Sequence, residues 1–283
     1  MMTETLRELE RQTRAADIVV ICPADPADVD DAVLAELSYP TEVTRGPRGL
    51  CLQRNAILDA LVGKADVVVF FDDDFFPCRD FLERLEGVFA ARPDAAMVTG
   101  RVLADGIMTP GIAPVDARAV IAEAEAHPPG RRIRPVHNGY GCNMAALMAP
   151  IEQHNLRFDP ALPLYGWLED VDFSRRLAIA SGGKVLQADC CRGVHLGTKS
   201  GRLQGVRFGY SQIANPLYIL SKKGVLSPAW TLRQVTRNVL ANLAGQFRPE
   251  PWVDRRGRLR GNLLAARDLI KGRARPDKIL ELN

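Results

Sequence analysis

The stretch VVVFFDDDFFP, Val67 to Pro77, constrains this chain more than any other. Five apolar residues run straight into three carboxylates, Asp72, Asp73 and Asp74, and two further aromatics follow. An unbroken apolar run reads as a strand covered on both faces. Burying even one unpaired carboxylate costs several kcal/mol or forces it to take up a proton. Three adjacent acids are tolerable where such a strand emerges at a solvated edge. They become useful if a cation or a ligand with hydroxyls sits there.

The segments on either side alternate. DIVVICPA (17–24) is a short apolar run ended by proline and reads as a buried strand. GLCLQRNAILDALVG (49–63) places Leu50, Ile57, Leu58 and Leu61 at helical spacing and closes on Gly63. CRDFLERLEGVFAARP puts Phe81, Leu82, Leu85 and Phe89 on one helical face before Pro93, and AAMVTGRVL is a further strand. Strand–helix alternation predicts an α/β fold with a mostly parallel central sheet flanked by helices. In such sheets ligands bind beyond the carboxyl ends of the strands, where Asp72–Asp74 stand. The span Ala104–Pro135 is rich in Pro, Ala and Arg and reads as irregular. Leu168, Val171, Phe173, Leu177 and Ile179 fit a helix starting near Glu169 and ending at Gly182-Gly183, and KVLQADC follows as a strand.

With 283 residues, 47% of them hydrophobic and 25% charged, the chain has ample material for a core. Its N-terminus, MMTETLRELERQTR, lacks the apolar centre of a signal peptide. No apolar run approaches the roughly 18 residues of a membrane span. The six cysteines show no Cys-x-x-Cys spacing, which disfavours a zinc site or a disulfide framework and fits reduced thiols in a cytoplasm. The net charge of +3 hides an asymmetry: residues 1–189 sum to −10 and residues 190–283 to +13, with no acidic residue between Cys190 and Pro249. The tail reads as amphipathic helices at Thr231–Gly245 and Arg260–Lys271. Its aromatics, Trp230, Phe247 and Trp252, are too scattered to stack nucleic-acid bases. A basic amphipathic segment of this kind either packs on the preceding domain with its arginines in water or holds a protein on an anionic membrane.

Three elements carry candidate chemistry. Asp72-x-Asp74 at a strand end can bind a hard divalent cation, Mg²⁺ or Mn²⁺, through one carboxylate and accept hydrogen bonds with the other. A solvated turn capping the next helix would account for the same residues. GWLEDVDFSRRL places Glu169, Asp170 and Asp172 in a first helical turn, where the helix dipole favours acids in any case. Trp167 just before them offers an aromatic wall beside a carboxylate base, or a core side chain. GVHLGTKSGR brings His195 after a strand, with a basic segment next.

Taken together and in order, FFDDDFFP, GCNMAALMAPI, FDPAL…GWLEDVDFSRRLAIASGGKV and VHLG resemble a family-2 glycosyltransferase with the GT-A fold over roughly residues 15–200. The resemblance implies a Rossmann-like nucleotide half at about 15–103, an acceptor half at 104–205 and a basic, mainly helical C-terminal extension at 206–283. It implies a nucleotide diphosphate sugar donor, a divalent cation and inversion at the anomeric carbon. Carried over position by position, it makes Asp74, Asp72 and His195 the metal site and Asp170 the catalytic base. It places Asp72, Asp73, Pro23, Gly49 and Arg54 on the donor side, and Trp167, Glu169 and Asn143 on the acceptor side. The acceptor would be a saccharide or a polyprenyl-diphosphate-linked one, met by a cytoplasmic enzyme held peripherally at the inner face of a bacterial membrane. The stretch PTEVTRGPRG departs from the Asp-rich segment that holds the base in many members, so the choice of nucleotide stays open. A sugar-phosphate nucleotidyltransferase would need a glycine-rich basic loop after the first strand, and CPADPADVD has neither feature. A non-catalytic nucleotide-sugar-binding protein would be expected to lose the base or the metal carboxylates, and all three are present.

Overall fold

The computed structural model describes residues 1–199 and 205–282. In chain order the elements are α1 (Met2–Leu9), β1 (Val19–Ile21), α2 (Asp31–Glu36), β2 (Thr41–Val43), α3 (Leu50–Leu61), β3 (Val67–Phe71), β4 (Phe75–Pro77), α4 (Phe81–Ala91) and β5 (Ala95–Asp105). They continue with α5 (Pro114–Glu125), β6 (Ile133–Pro135), β7 (Asn143–Leu147), α6 (Met148–Gln153), α7 (Glu169–Ser181), β8 (Lys184–His195), α8 (Gly205–Ser221), α9 (Pro228–Ala244) and α10 (Arg255–Ile270).

The central sheet has the order β3-β7-β5-β8-β4, with β6 also paired to β8, while β1 and β2 pair parallel in a separate two-stranded sheet. The α/β class with flanking helices is as expected, but the central sheet is mixed rather than mostly parallel. Among the described residues β5–β8 is its parallel pairing, and β3–β7, β5–β7, β4–β8 and β6–β8 are antiparallel. The cause is one inserted strand. Strands β3, β5 and β8 do share a direction, as strand–helix alternation requires, but β7 runs back between β3 and β5 and converts two contacts to antiparallel ones. The carboxyl ends of the three co-directional strands, Phe71, Asp105 and His195, consequently face one edge of the sheet.

Hydrophobic layers cover both faces. On one, Leu58 of α3, Phe70 of β3, Met144 of β7 and Phe173 of α7 join Ile219 of α8 and the following Val225 and Leu226. On the other, Phe81, Leu85 and Val88 of α4 pack on Phe75, Val98 and Leu186. The span 104–135, read as irregular, contains α5. Its prolines flank the helix rather than break it: Pro114 occupies the first helical turn, and Ala117 and Ile121 bury against Phe76 and Val194. Helix α9 starts three residues before the expected Thr231, capped by the Ser227 hydroxyl, and α10 starts at Arg255, where the Asp254 carboxylate accepts from the Gly257 N–H. Helices α8 and α10 touch backbone to backbone: a Cβ on Gly209 would lie 2.0 Å from the Arg258 carbonyl oxygen, and one on Gly261 2.1 Å from that of Val206.

Candidate active site

Strand ends assemble the first part of the site. Asp72 and Asp74 leave β3, His195 ends β8, and one ligand atom from each lies within 4.8 Å of the others. His195 is buried, with Nε2 3.3 Å from Asp74 Oδ1 and Nδ1 2.9 Å from Oδ1 of Asp105, the last residue of β5. Tyr140 donates its hydroxyl to the other Asp105 oxygen at 2.8 Å. Burial alone would lower the imidazole pKa, but hydrogen bonds to Asp105 and Asp74 overcome it and raise it to about 10. Burial would raise Asp74. Its bonds to His195, to the Thr198 N–H at 2.7 Å and to the Thr198 hydroxyl at 2.9 Å instead hold it below the usual carboxylate range. Two carboxylate oxygens and an imidazole nitrogen form a donor set that suits Mn²⁺ or Mg²⁺. Asp105 on the far imidazole nitrogen is the kind of outer partner that orients a ligating histidine. Asp73 is exposed, and its carbonyl accepts from the Thr5 hydroxyl of α1 at 2.6 Å.

A buried guanidinium joins this cluster to the acids of α7. Arg54 of α3 donates to Asp72 Oδ1 at 3.0 Å, to Glu169 Oε1 at 2.7 Å and to the Gly141 carbonyl at 2.9 Å. It lies between the rings of Phe70 and Phe158, 5.5 and 5.3 Å from their centroids. Burial drives the Glu169 carboxyl up to about 8 although Arg54 pulls it down. Gly141 sits tightly over the pair: a Cβ there would lie 3.2 Å from Glu169 Oε1 and 3.4 Å from Arg54 Nη2. The two acids are thereby divided. Glu169 is buried and tied to arginine, whereas Asp170 is half-buried, accepting from the Gly141 N–H at 3.2 Å and from the Val171 N–H at 2.8 Å. Burial raises the Asp170 pKa against the pull of the Val171 N–H and Arg54.

The approach to α7 is strained. Leu164, Gly166 and Leu168 all have left-handed φ, at 59°, 60° and 72°, which bulky residues rarely adopt and which clusters at functional sites. Trp167 lies within this turn, half-buried, its carbonyl accepting from Asn215 of α8 at 2.8 Å and its ring edge-on to Phe208 at 5.9 Å. Gly49 caps α3 with a φ of 137°, and the next N–H donates to the Leu164 carbonyl at 2.8 Å. Pro23 follows β1 and is half-buried; the Gln53 amide of α3 holds the preceding Cys22 carbonyl at 2.7 Å. Asn143 is fully buried, accepting from the Thr99 hydroxyl at 2.6 Å, with its amide nitrogen unpartnered. Arg54 thus bonds both Asp72 and Glu169, His195 bonds Asp74, the ligand atoms of Asp72, Asp74 and His195 lie within 4.8 Å of one another, and Asp170 adjoins through Gly141. No such bond joins Pro23, Gly49, Trp167 or Asn143 to them among the described residues. Sequence reasoning did not single out Asp105, Tyr140, Gly141 or Thr198.

No protein-family model and no curated protein matches the sequence. Solved structures match the fold. S. aureus TarS residues 1–349 in complex with UDP aligns with a TM-score of 0.53 and 14% identity, over 87% of this chain and 68% of that one. The mannosyltransferase PcManGT from Pyrobaculum calidifontis, in complex with GDP-Man and Mn2+, aligns with a TM-score of 0.53 and 16% identity, over 99% and 81%. GalNAc-T7 with UDP, GalNAc and Mn2+ aligns with a TM-score of 0.54 and 13% identity, over 98% of this chain and 53% of that one. At these identities the likeness establishes the fold, which is that of the GT-A glycosyltransferases.

Proposed function

We propose that the protein is an inverting glycosyltransferase that moves a sugar from a nucleoside diphosphate donor to a hydroxyl acceptor. The observation that carries this reading is the division of labour at one sheet edge: a two-carboxylate, one-imidazole cation site on β3 and β8, joined through Arg54 to an acid pair on α7 whose second member is half-open. Asp74, Asp72 and His195 would hold a divalent cation, which supplies charge neutralisation to a departing diphosphate. Nε2 of His195 must give up its proton to serve there, while Nδ1–H stays on Asp105. Asp170 takes the proton of the acceptor hydroxyl as that oxygen attacks. Its raised pKa makes it a stronger base than an ordinary aspartate. Glu169 is excluded from that role by its bond to Arg54 and instead fixes the start of α7. A single displacement with one base gives inversion, with no second carboxylate required as nucleophile. TarS in complex with UDP, PcManGT in complex with GDP-Man and Mn2+, and GalNAc-T7 with UDP, GalNAc and Mn2+ share the fold on which this chemistry would run.

Nucleotide-sugar hydrolysis in the presence and absence of Mn²⁺ tests the reading, with thermal shift as the binding assay. A donor at about 100 times its dissociation constant adds about 2.7 kcal/mol of apparent stability. Asp74→Ala should remove both the metal-enhanced shift and turnover. Near-normal turnover of that variant in chelator would remove the site from the reaction.

A further inference from the structure

The outer faces of α9 and α10 carry a chemistry that neither the core nor the site uses. Along α9 and the turn after it, Leu232, Thr236, Leu240, Leu243 and Phe247 recur at three- and four-residue spacing, and all are exposed, Leu232 by 68%, Leu240 by 57% and Phe247 by 83%. The other face of the same helix is the packed one: Val235 and Val239 lie against Tyr210 and Ile213 of α8, and Asn242 bonds Gln212 and Asn262. Helix α9 is therefore apolar on both sides, whereas a helix with one solvated face shows a single apolar stripe. On α10, Leu263 and Ile270 are exposed beside Arg260 and Arg267.

Unpaired positive charge accompanies these apolar residues. In the front half Arg11, Arg14, Arg84, Arg92, Arg118 and Arg157 each hold a carboxylate. On the outer face Arg233, Arg237, Arg248, Arg256, Arg260 and Arg267 are exposed, and among the described residues none forms an ion pair. The acids of this region are already taken. Glu250 holds Arg255, Asp277 and Glu281 hold Arg275, Asp268 accepts from Tyr210, and Asp254 caps α10.

We propose that this face seats on an anionic lipid bilayer, with Leu232, Leu240, Leu243 and Phe247 entering the boundary between headgroups and acyl chains and the arginines meeting lipid phosphates. No helix among the described residues is long and apolar enough to cross a membrane, so the contact is a surface one. Charge excludes the main competitor: a second copy meeting this one across a two-fold axis would bring unpaired arginines against arginines. A nucleic acid would satisfy the arginines but set exposed leucines against phosphates. The seat also bears on the site. Trp230 of α9 stacks on His137 at 5.4 Å, and Asn215 of α8, the helix on which α9 and α10 pack, holds the Trp167 turn, so the acceptor side is tied to the lipid-facing helices directly through Trp230 and indirectly through α8.

Co-sedimentation of the full chain with phosphatidylcholine vesicles, with and without phosphatidylglycerol, tests this. Binding to the anionic vesicles is expected and should fall as salt is raised. Leu240→Glu with Phe247→Glu should lower partitioning at least about tenfold, and Arg233→Glu with Arg237→Glu should lower it about fivefold or more per residue. All four positions are exposed, so circular dichroism and the melting temperature should not change. Equal affinity for neutral and anionic vesicles, or wild-type binding by either variant, would overturn the proposal. So would a concentration-dependent dimer that Phe247→Glu dissolves without any vesicle binding. The readout needs no turnover: an Asp74→Ala protein that loses hydrolysis but still binds vesicles separates failure at the site from failure of the surface.

Discussion

Replacing Arg54 with methionine isolates the element that ties the two halves of the site together. Methionine keeps apolar volume between Phe70 and Phe158 but removes the cation that bonds Asp72, Glu169 and the Gly141 carbonyl. Asp72 is only half-buried and can turn to water, whereas Glu169 is 6% exposed and has no such recourse. One Glu169 oxygen already lacks a partner. Stripping a buried carboxylate of its cation costs about 3–5 kcal/mol, which in a protein of this size lowers the melting temperature by roughly 6–20 °C. The penalty should depend on pH with a defined sign. Glu169 ionises at about 8 in the intact protein and higher once Arg54 is gone, so the penalty is full above that value. It should fall away as pH drops through about 8, below which the carboxyl is protonated with or without arginine. Urea unfolding of wild type, Arg54→Met, Glu169→Gln and the double variant, at a pH above the Glu169 value of about 8, closes the cycle. Glu169→Gln should recover at least half of the Arg54→Met loss. A single-variant cost under about 1 kcal/mol, typical of an exposed pair, or a double variant no better than the single, would refute the argument.

Three further outcomes follow from the same geometry. The acid limb of the rate profile should lie above the ordinary aspartate value of about 3.9, because the Asp170 pKa is raised and the base works only when ionised. Asp170→Asn should lose that limb and at least about 100-fold in transfer while still binding donor, and comparable losses of donor affinity would assign Asp170 elsewhere. Asp105→Asn keeps an acceptor for His195 but removes the charge behind it, and should raise the Mn²⁺ concentration giving half-maximal hydrolysis by about 10–100-fold. The donor KM at saturating metal should hold steady, and an unchanged metal requirement would deny Asp105 that positioning role. Lys222→Met removes the ammonium that bonds Asp159 at 2.6 Å and fully buried Asp172 at 2.7 Å; Arg176 still holds Asp172 at 2.8 Å, so the cost in urea unfolding should be about 1.5–3 kcal/mol, partly restored by Asp172→Asn.

What the sequence discloses follows from where the information resides. Strands β3, β5 and β8 and helices α3, α4 and α7 are legible because apolar periodicity and glycine stops are local signals. Helix α5 was hidden by prolines that flank it. Helix α8 was hidden because its packed face mixes Tyr210 and Ile213 with buried Gln212 and Asn215 and carries Pro216 inside the helix. The mixed sheet has no local signal at all, since the placement of β7 between β3 and β5 is a tertiary outcome. In the site, Asp72, Asp74 and His195 are readable as polar residues at strand ends. Asp105 occupies the equivalent position at the end of AAMVTGRVLAD and could have been found by that rule. Gly141 and Thr198 could not: one matters for the side chain it lacks, the other mainly for a backbone N–H. Arg54 sits where a donor contact was expected, but its three bonds turn inward to Asp72, Glu169 and Gly141.

The basic helices and the acid pair belong to one packed body, and this decides how the two must be dissected. Ile219, Val225 and Leu226 sit in the same hydrophobic layer as Phe173 of α7, and Lys222 is clamped to Asp172 on that helix, two residues beyond Asp170. Asn215 carries the Trp167 turn whose left-handed residues aim Glu169 and Asp170. A truncation within or just after α8 would strip apolar surface from the core and leave the fully buried Asp172 without its lysine, so loss of transfer in such a fragment would report on folding as much as on acceptor delivery. The outer residues of α9 escape that ambiguity, because Leu240, Phe247, Arg233 and Arg237 are exposed and outside these layers. Surface substitutions there, with hydrolysis and vesicle binding followed in parallel, can therefore separate what the helices support from what they touch.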